Sequence, residues 1–216
     1  LIRDGYQVYD KKANASRPIR LGDVAILAKS FKTIGPVYEK VFREAGLTLA
    51  ATGTPALWDS PEVNTVIAFL NIIDNPYDDL ALFAVMFSDI YAFGAEKIAK
   101  IKLTDRNSHL FDACKKYVEE TGDRDCAKLL SDIERYSLLS KNLLADRLIR
   151  QIYSDTSYCE KVSCLEKGYL RRENLMRLYD FACSWSTNAG GSLYDFILQT
   201  EIARSKDSEK GDVEDA

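Results

Sequence analysis

The chain has 216 residues, 46% apolar and 29% charged, with a formal net charge of −4. That is enough for one sizeable core or one and a half domains of an ordinary globular protein, and the acidic balance excludes a protein that coats nucleic acid over its whole surface. No window reaches 18 apolar residues and no N-terminal signal pattern occurs, so no membrane is involved and a cytoplasmic protein is the expectation.

In chain order, the first element is Asp23-Val24-Ala25-Ile26-Leu27-Ala28-Lys29-Ser30. Val24 to Leu27 show no polar alternation, as in a strand covered on both faces of a parallel sheet. Lys29 falls just past its carboxyl end, where α/β sheets bind ligands. Thr33 is placed to cap a helix with the stripe Val37, Val41, Phe42 and Ala45. Gly46 ends it, and Leu47-Thr48-Leu49-Ala50 is expected to be the next strand. One strand, helix, strand unit cannot complete a sheet, so these fifty residues read as a piece of something larger.

From Ser60 onward the pattern is helical. Pro61 opens a helix with Val63, Val66, Ile67, Leu70 and Ile73 on the i, i+3, i+4, i+7 template. Asp74-Asn75-Pro76-Tyr77-Asp78-Asp79 breaks it, and residues 80–87 follow, apolar almost all round and therefore expected at the centre. Further helices are expected at about 96–103, 110–121, 125–139, 143–154, 171–185 and 193–203. The last carries a capping box, Ser192 with Asp195, after Gly190-Gly191. The expected fold is mainly α, with a small α/β portion at the N-terminal end.

Charge is uneven along the chain. Residues 141–177 hold eight Lys or Arg against five Asp or Glu, and residues 201–216 hold three against six. The basic stretch has two readings: a solvated helical face with pairs such as Asp146 and Arg150, or a surface for DNA phosphates formed by Lys141, Arg147, Arg150, Arg171 and Arg172. The acidic stretch 205–216 has only Val213 to bury and is expected to be disordered.

Much chemistry is absent. There is no GxxxxGK[ST] phosphate loop, and the lone His109 excludes HExxH zinc chemistry and argues against a Ser/His/Asp triad. His109 reads as a surface residue at a helix start. Asp74, Asp78 and Asp79 flank a proline between helices, where Asp serves as cap and turn residue rather than metal ligand. Cys114, Cys126, Cys159, Cys164 and Cys183 have no zinc spacing and are expected to be reduced, mostly buried thiols. Trp58 and Trp185 have the faces for base stacking, but each is also placed to pack against its own helix, and core positions explain both.

Four segments carry a resemblance. Asp23 to Ser30, Leu57-Trp58-Asp59-Ser60-Pro61-Glu62-Val63, Phe69 to Pro76 with Asp79-Leu80-Ala81-Leu82, and Arg172-Glu173-Asn174-Leu175 with Leu178 and Phe181-Ala182 come in the order seen in UvrD/Rep-type superfamily 1 DNA helicases. Within these the chain most resembles the AddA subunit of the bacterial AddAB helicase-nuclease, with RecB more distant. The resemblance implies that residues 1–53 are part of the second RecA-like lobe, including motif IV. Residues 54–204 would be the helical subdomain inserted in that lobe (2B-like), and 205–216 a connection.

By the same resemblance the chain is a non-catalytic fragment of an ATP-dependent DNA helicase-nuclease of double-strand break repair and recombination. It would help to position DNA and to couple lobe movement to ATP hydrolysis. The fragment has no cofactor of its own; ATP and Mg belong to the parent protein, whose partners are duplex and single-stranded DNA and an AddB-like subunit. Lys29 stands where the family has an arginine that reaches the ATP γ-phosphate, and lysine keeps the charge but loses the planar fork. Phe87-Ser88-Asp89 replaces the family's Arg-Ser-Pro, and no role is assigned there. The alternative reading is a free-standing helical protein-interaction module without nucleic-acid binding.

Overall fold

Ser60 holds extended backbone and Pro61 takes the first helical position, where its missing N–H is no loss, so helix α1 runs Pro61–Asp74. The structure, a computed structural model, describes residues 5–10, 14–26, 37, 38, 40–42, 44–47 and 57–214, with side chains through Asp207. The chain divides into two compact units, Leu1–Gly53 with Asp212–Ala216, and Thr54–Gly211.

In the larger unit α1 is the central element. Val63, Val66, Ile67, Phe69, Leu70, Ile72 and Ile73 are buried and the residues between them are half-buried, so no side of the helix from Glu62 to Ile73 is open. It packs against α2 (Asp79–Phe87), α5 (Arg124–Ser140) and α8 (Gly168–Asn188). The expectation that residues 80–87 would be central is corrected: α2 buries Ala81, Leu82, Val85 and Met86, while Leu80, Phe83 and Phe87 face solvent. A helix apolar on every side needs partners on every side, and α2 has them on one.

Between α2 and α5 lie α3 (Ala95–Thr104) and α4 (Leu110–Thr121). Asp78 caps α2 by accepting a hydrogen bond from Ala81 N at 2.9 Å. Its neighbour Asp79 reaches away from its own helix and accepts from Leu110 N at 2.8 Å, capping α4. Asp78 and Asp79 thus act as caps, the second across the fold. Gly122 ends α4 with φ 66°, a conformation glycine adopts without strain, and Asp123 then caps α5 through Cys126 N at 2.8 Å.

The C-terminal half adds α6 (Ala145–Thr156), α7 (Tyr158–Ser163), α8 and α9 (Leu193–Glu214). Helix α7 goes beyond the expected elements. Ser157 takes a left-handed φ of 50° and turns the chain from α6 into α7 without the glycine or proline that would signal a break. The Ser192/Asp195 capping box forms as expected, with Asp195 Oδ2 accepting from Ser192 N at 2.9 Å. Helix α9 runs to Glu214. Once Leu193, Phe196 and Thr200 are packed, each further residue extends an existing helix and incurs no nucleation penalty.

In the smaller unit, β1 (Gln7–Asp10) pairs antiparallel with β2 (Ala15–Pro18), Gln7 opposite Pro18. Arg17 ties this hairpin to a 3₁₀ turn at Leu21–Asp23, bonding Asp10 at 2.9 Å and both oxygens of Asp23 at 2.7 and 2.8 Å. That fork holds the Asp23 carboxyl well below the usual carboxylate range. Among the described residues this hairpin is the only sheet. Val24 to Ile26 have no regular structure, and Val24 and Ile26 are exposed, so the described part of the expected buried strand is corrected. A buried strand needs a ladder on each side, and the hairpin offers these residues none. Lys29 and Thr48 to Ala50 lie outside the described residues. Val37, Tyr38, Lys40 to Phe42 and Glu44 are helical, and Gly46 follows at φ 69°.

Candidate nucleic-acid interface

Two segments that carry the helicase resemblance meet in the core. Ser60 and Glu62 sit at the start of α1, and Asn174 lies on the inner face of α8; all three are buried. Asn174 Nδ2 donates to Ser60 Oγ at 3.0 Å and to Glu62 Oε1 at 2.8 Å. Arg171, one turn earlier on α8, brings Nη1 to 3.2 Å from Glu62 Oε2 and donates Nε to the Glu166 carbonyl at 3.1 Å. Both Glu62 oxygens are therefore engaged, as a buried carboxylate requires.

Beside this junction opens a cavity of about 360 Å³ with Pro61, Glu166, Lys167, Leu170 and Arg171 in its wall. Its position comes from a close turn: Lys167 has φ 57°, and Gly168 lies so near Ser163 that an added Cβ would sit 2.0 Å from the Ser163 carbonyl oxygen. Glu62 is fully bonded, and no nucleophile and base face each other here. The arrangement can position helices; it has no groups set for bond chemistry.

The basic candidates separate into two kinds. Lys141 caps the end of α5 and is exposed, as are Arg147 and Arg150 on α6 and Arg172 on α8. Arg171 is half-buried and committed to Glu62. The Asp146–Arg150 pair does not form; Asp146 Oδ2 lies 3.7 Å from Arg147 Nε, and its Oδ1 is buried without a partner.

Trp58 is buried, edge-on to Phe181 at 5.2 Å, and Trp185 packs on Phe196 at 5.4 Å. Trp58 has no free face for a base, and Trp185 is half-buried. His109 precedes α4 on the surface, with Nδ1 3.5 Å from Asp79. Cys114, Cys126 and Cys159 are buried free thiols, Cys183 is half-buried and Cys164 exposed. Among the described residues no group of His, Cys, Asp or Glu is arranged to hold a metal ion, and no helix is long and apolar enough to cross a membrane.

The Glu62–Asn174 link is not evident from the sequence, although both residues lie in the segments that carry the resemblance. The available signal is an asparagine on an otherwise apolar stripe: Asn174 shares its face with Leu178 and Ala182.

A family model described as UvrD-like helicase C-terminal domain matches residues 7–212. The chain is 29% identical over 213 residues to the A subunit of the ATP-dependent helicase/nuclease of Ruminiclostridium cellulolyticum, covering 97% of the chain and 17% of that protein. It is 30% identical over 205 residues to the protein of the same name from Listeria monocytogenes serotype 4b, covering 93% and 16%. With that of Lactobacillus delbrueckii subsp. bulgaricus it shares 31% over 215 residues, covering 97% and 17%. The chain thus spans about a sixth of the length of the curated relatives it matches.

Proposed function

Because the chain belongs to the family of UvrD-like helicase C-terminal domains, we propose that it is a non-catalytic part of an ATP-dependent DNA helicase-nuclease acting in double-strand break repair and recombination. Residues 54–204 would be its inserted helical subdomain and residues 1–53 part of the lobe that carries it. The observation that carries this reading is the alignment of nearly the whole chain with proteins named as the A subunit of an ATP-dependent helicase/nuclease. The geometry supports it from another direction. The junction of Ser60, Glu62 and Asn174 joins the start of the subdomain to its longest packed helix, as a body that must move as one piece requires.

In this reading Lys141, Arg147, Arg150 and Arg172 meet phosphates, and Arg171 holds α8 against α1. Their charge steers DNA without reading its sequence. ATP and Mg act elsewhere in the parent, with Lys29 the residue of this chain that would reach the transferring phosphate. An AddB-like subunit would complete the assembly.

The test is DNA binding by the parent protein with and without residues 54–204 across a salt series. For every phosphate that the subdomain neutralises, its removal should reduce the log-log salt slope by ~0.9 on duplex and ~0.7 on single strands. An unchanged slope would remove DNA binding from the role of this subdomain.

A further inference from the structure

The outer face of α2 carries Leu80, Phe83 and Phe87, which are 79%, 44% and 58% exposed, with Ala84 exposed beside them. The two phenyl rings lie parallel, 4° apart in plane with centroids 6.1 Å apart, and present one continuous apolar edge. Single exposed apolar side chains are ordinary. Three in line on one helix mark a surface that another surface covers. Their spacing, i, i+3, i+7, is that of a coiled-coil seam, and the small Ala84 leaves a depression between the larger residues where a knob from a facing helix can seat.

Charge narrows the occupant. The sequence has no Lys or Arg from Glu44 through Glu96. Asp74, Asp78 and Asp79 precede the stripe and Asp89 follows it, with Asp74 and Asp89 exposed. Lys115 on α4 lies over the Phe111 ring and pairs with Asp112 at 3.3 Å, and Lys161 donates to the Ile90 carbonyl at 3.1 Å, so both cations are already engaged. Phosphates are repelled by such a rim, whereas basic side chains are drawn to it. The stripe is roughly 11 Å long at 1.5 Å per residue. That is too short to supply the ~800 Å² per partner of a stable dimer, so a second copy of this chain is a poor occupant.

We propose that this face of α2 docks an amphipathic helix of a protein partner, with apolar residues at the seam and Lys or Arg on its flanks. The seam supplies register, and the aspartates at its two ends select against acidic helices. This inference is independent of DNA binding by the basic residues of α5, α6 and α8.

The test uses the 216-residue chain and two fluorescent synthetic helical peptides, both with Leu at the seam positions, one with Lys and the other with Glu at the flanks. The Lys peptide should bind, and the Glu peptide should bind ~10-fold more weakly or not at all. Leu80→Gln/Phe83→Gln/Phe87→Gln should weaken the Lys peptide by ~10-fold or more with thermal unfolding unchanged, since central anchors carry most of an interface's energy. Ala84→Gln, which fills the depression without touching the buried face, should weaken it as well, and Asp89→Lys should do so several-fold. Equal binding of the two peptides, or binding that survives the triple and Ala84→Gln changes, overturns the proposal. So would a dimer in sedimentation velocity that the triple change dissolves, which would give the face to a second copy. Loss of duplex DNA binding in the triple variant without loss of peptide binding would give it to nucleic acid and overturn the proposal too.

Discussion

Asn174 and Glu62, 112 residues apart in sequence, share a 2.8 Å hydrogen bond between buried side chains, and the same amide nitrogen reaches Ser60 at 3.0 Å. One amide on α8 thus satisfies two polar atoms at the start of α1. Asn174→Ala should lower unfolding free energy by ~1–3 kcal/mol, because a buried carboxylate oxygen and a buried hydroxyl lose their donor. Urea denaturation measures this, and a change under ~0.5 kcal/mol, the ordinary effect of a surface substitution, would show the junction to be dispensable.

Arg171 and Arg172 are neighbours with different work. Arg171→Ala should lower the melting temperature, since the buried Glu62 carboxylate would lose its guanidinium partner. Arg172→Ala should leave melting unchanged and flatten the salt dependence of duplex binding in the parent by ~0.9 in slope. A reversed pattern, with Arg172 structural and Arg171 neutral for stability, would contradict the geometry.

Asp155 gives a pH signature. Burial pushes its carboxyl up, but hydrogen bonds from Arg135, Tyr136 and Gln151 outweigh burial and hold it below its ordinary value. A group with a lowered folded-state pKa contributes fully above its unfolded value, about 3.9, and loses that contribution as pH falls through the folded value. Asp155→Asn should therefore be less stable than the parent sequence by a constant margin at about pH 5–7. Chemical denaturation across a pH series should show the margin closing in stronger acid, and a margin that grows on acidification would refute the assignment.

Residues 54–204 should fold without the first 53, because helices α1 to α8 bury one another's stripes within that span. A cooperative thermal transition in the truncated chain is the expected result. A molten chain without one would move the boundary.

The helices are legible in the sequence because their periodicity is local: residues 110–121 are bounded to the residue by the apolar pattern and the glycine that follows. What is not legible is set by tertiary context. The same apolar pattern in α1 and α2 holds no sign that α1 is wrapped and α2 half uncovered, since that depends on which neighbours arrive. The hairpin at Gln7 and Pro18 is short and polar, with weak alternation, and its register rests on pairing across a turn rather than on an apolar face. For the candidate site, charge clustering identifies the basic stretch, yet only the fold separates Arg171, turned to Glu62, from Arg172, turned to solvent.

The run without Lys or Arg that gives α2 its acidic surround has a practical side. Trypsin has no bond to cut between Arg43 and Lys97, so this protease leaves one peptide spanning Gly53 and Thr54, where the two units meet in sequence. A tryptic digest is therefore blind to any opening at that position. Chymotrypsin, with Leu57 and Trp58 close by but buried, would report it, since cleavage there requires the start of α1 to leave the core.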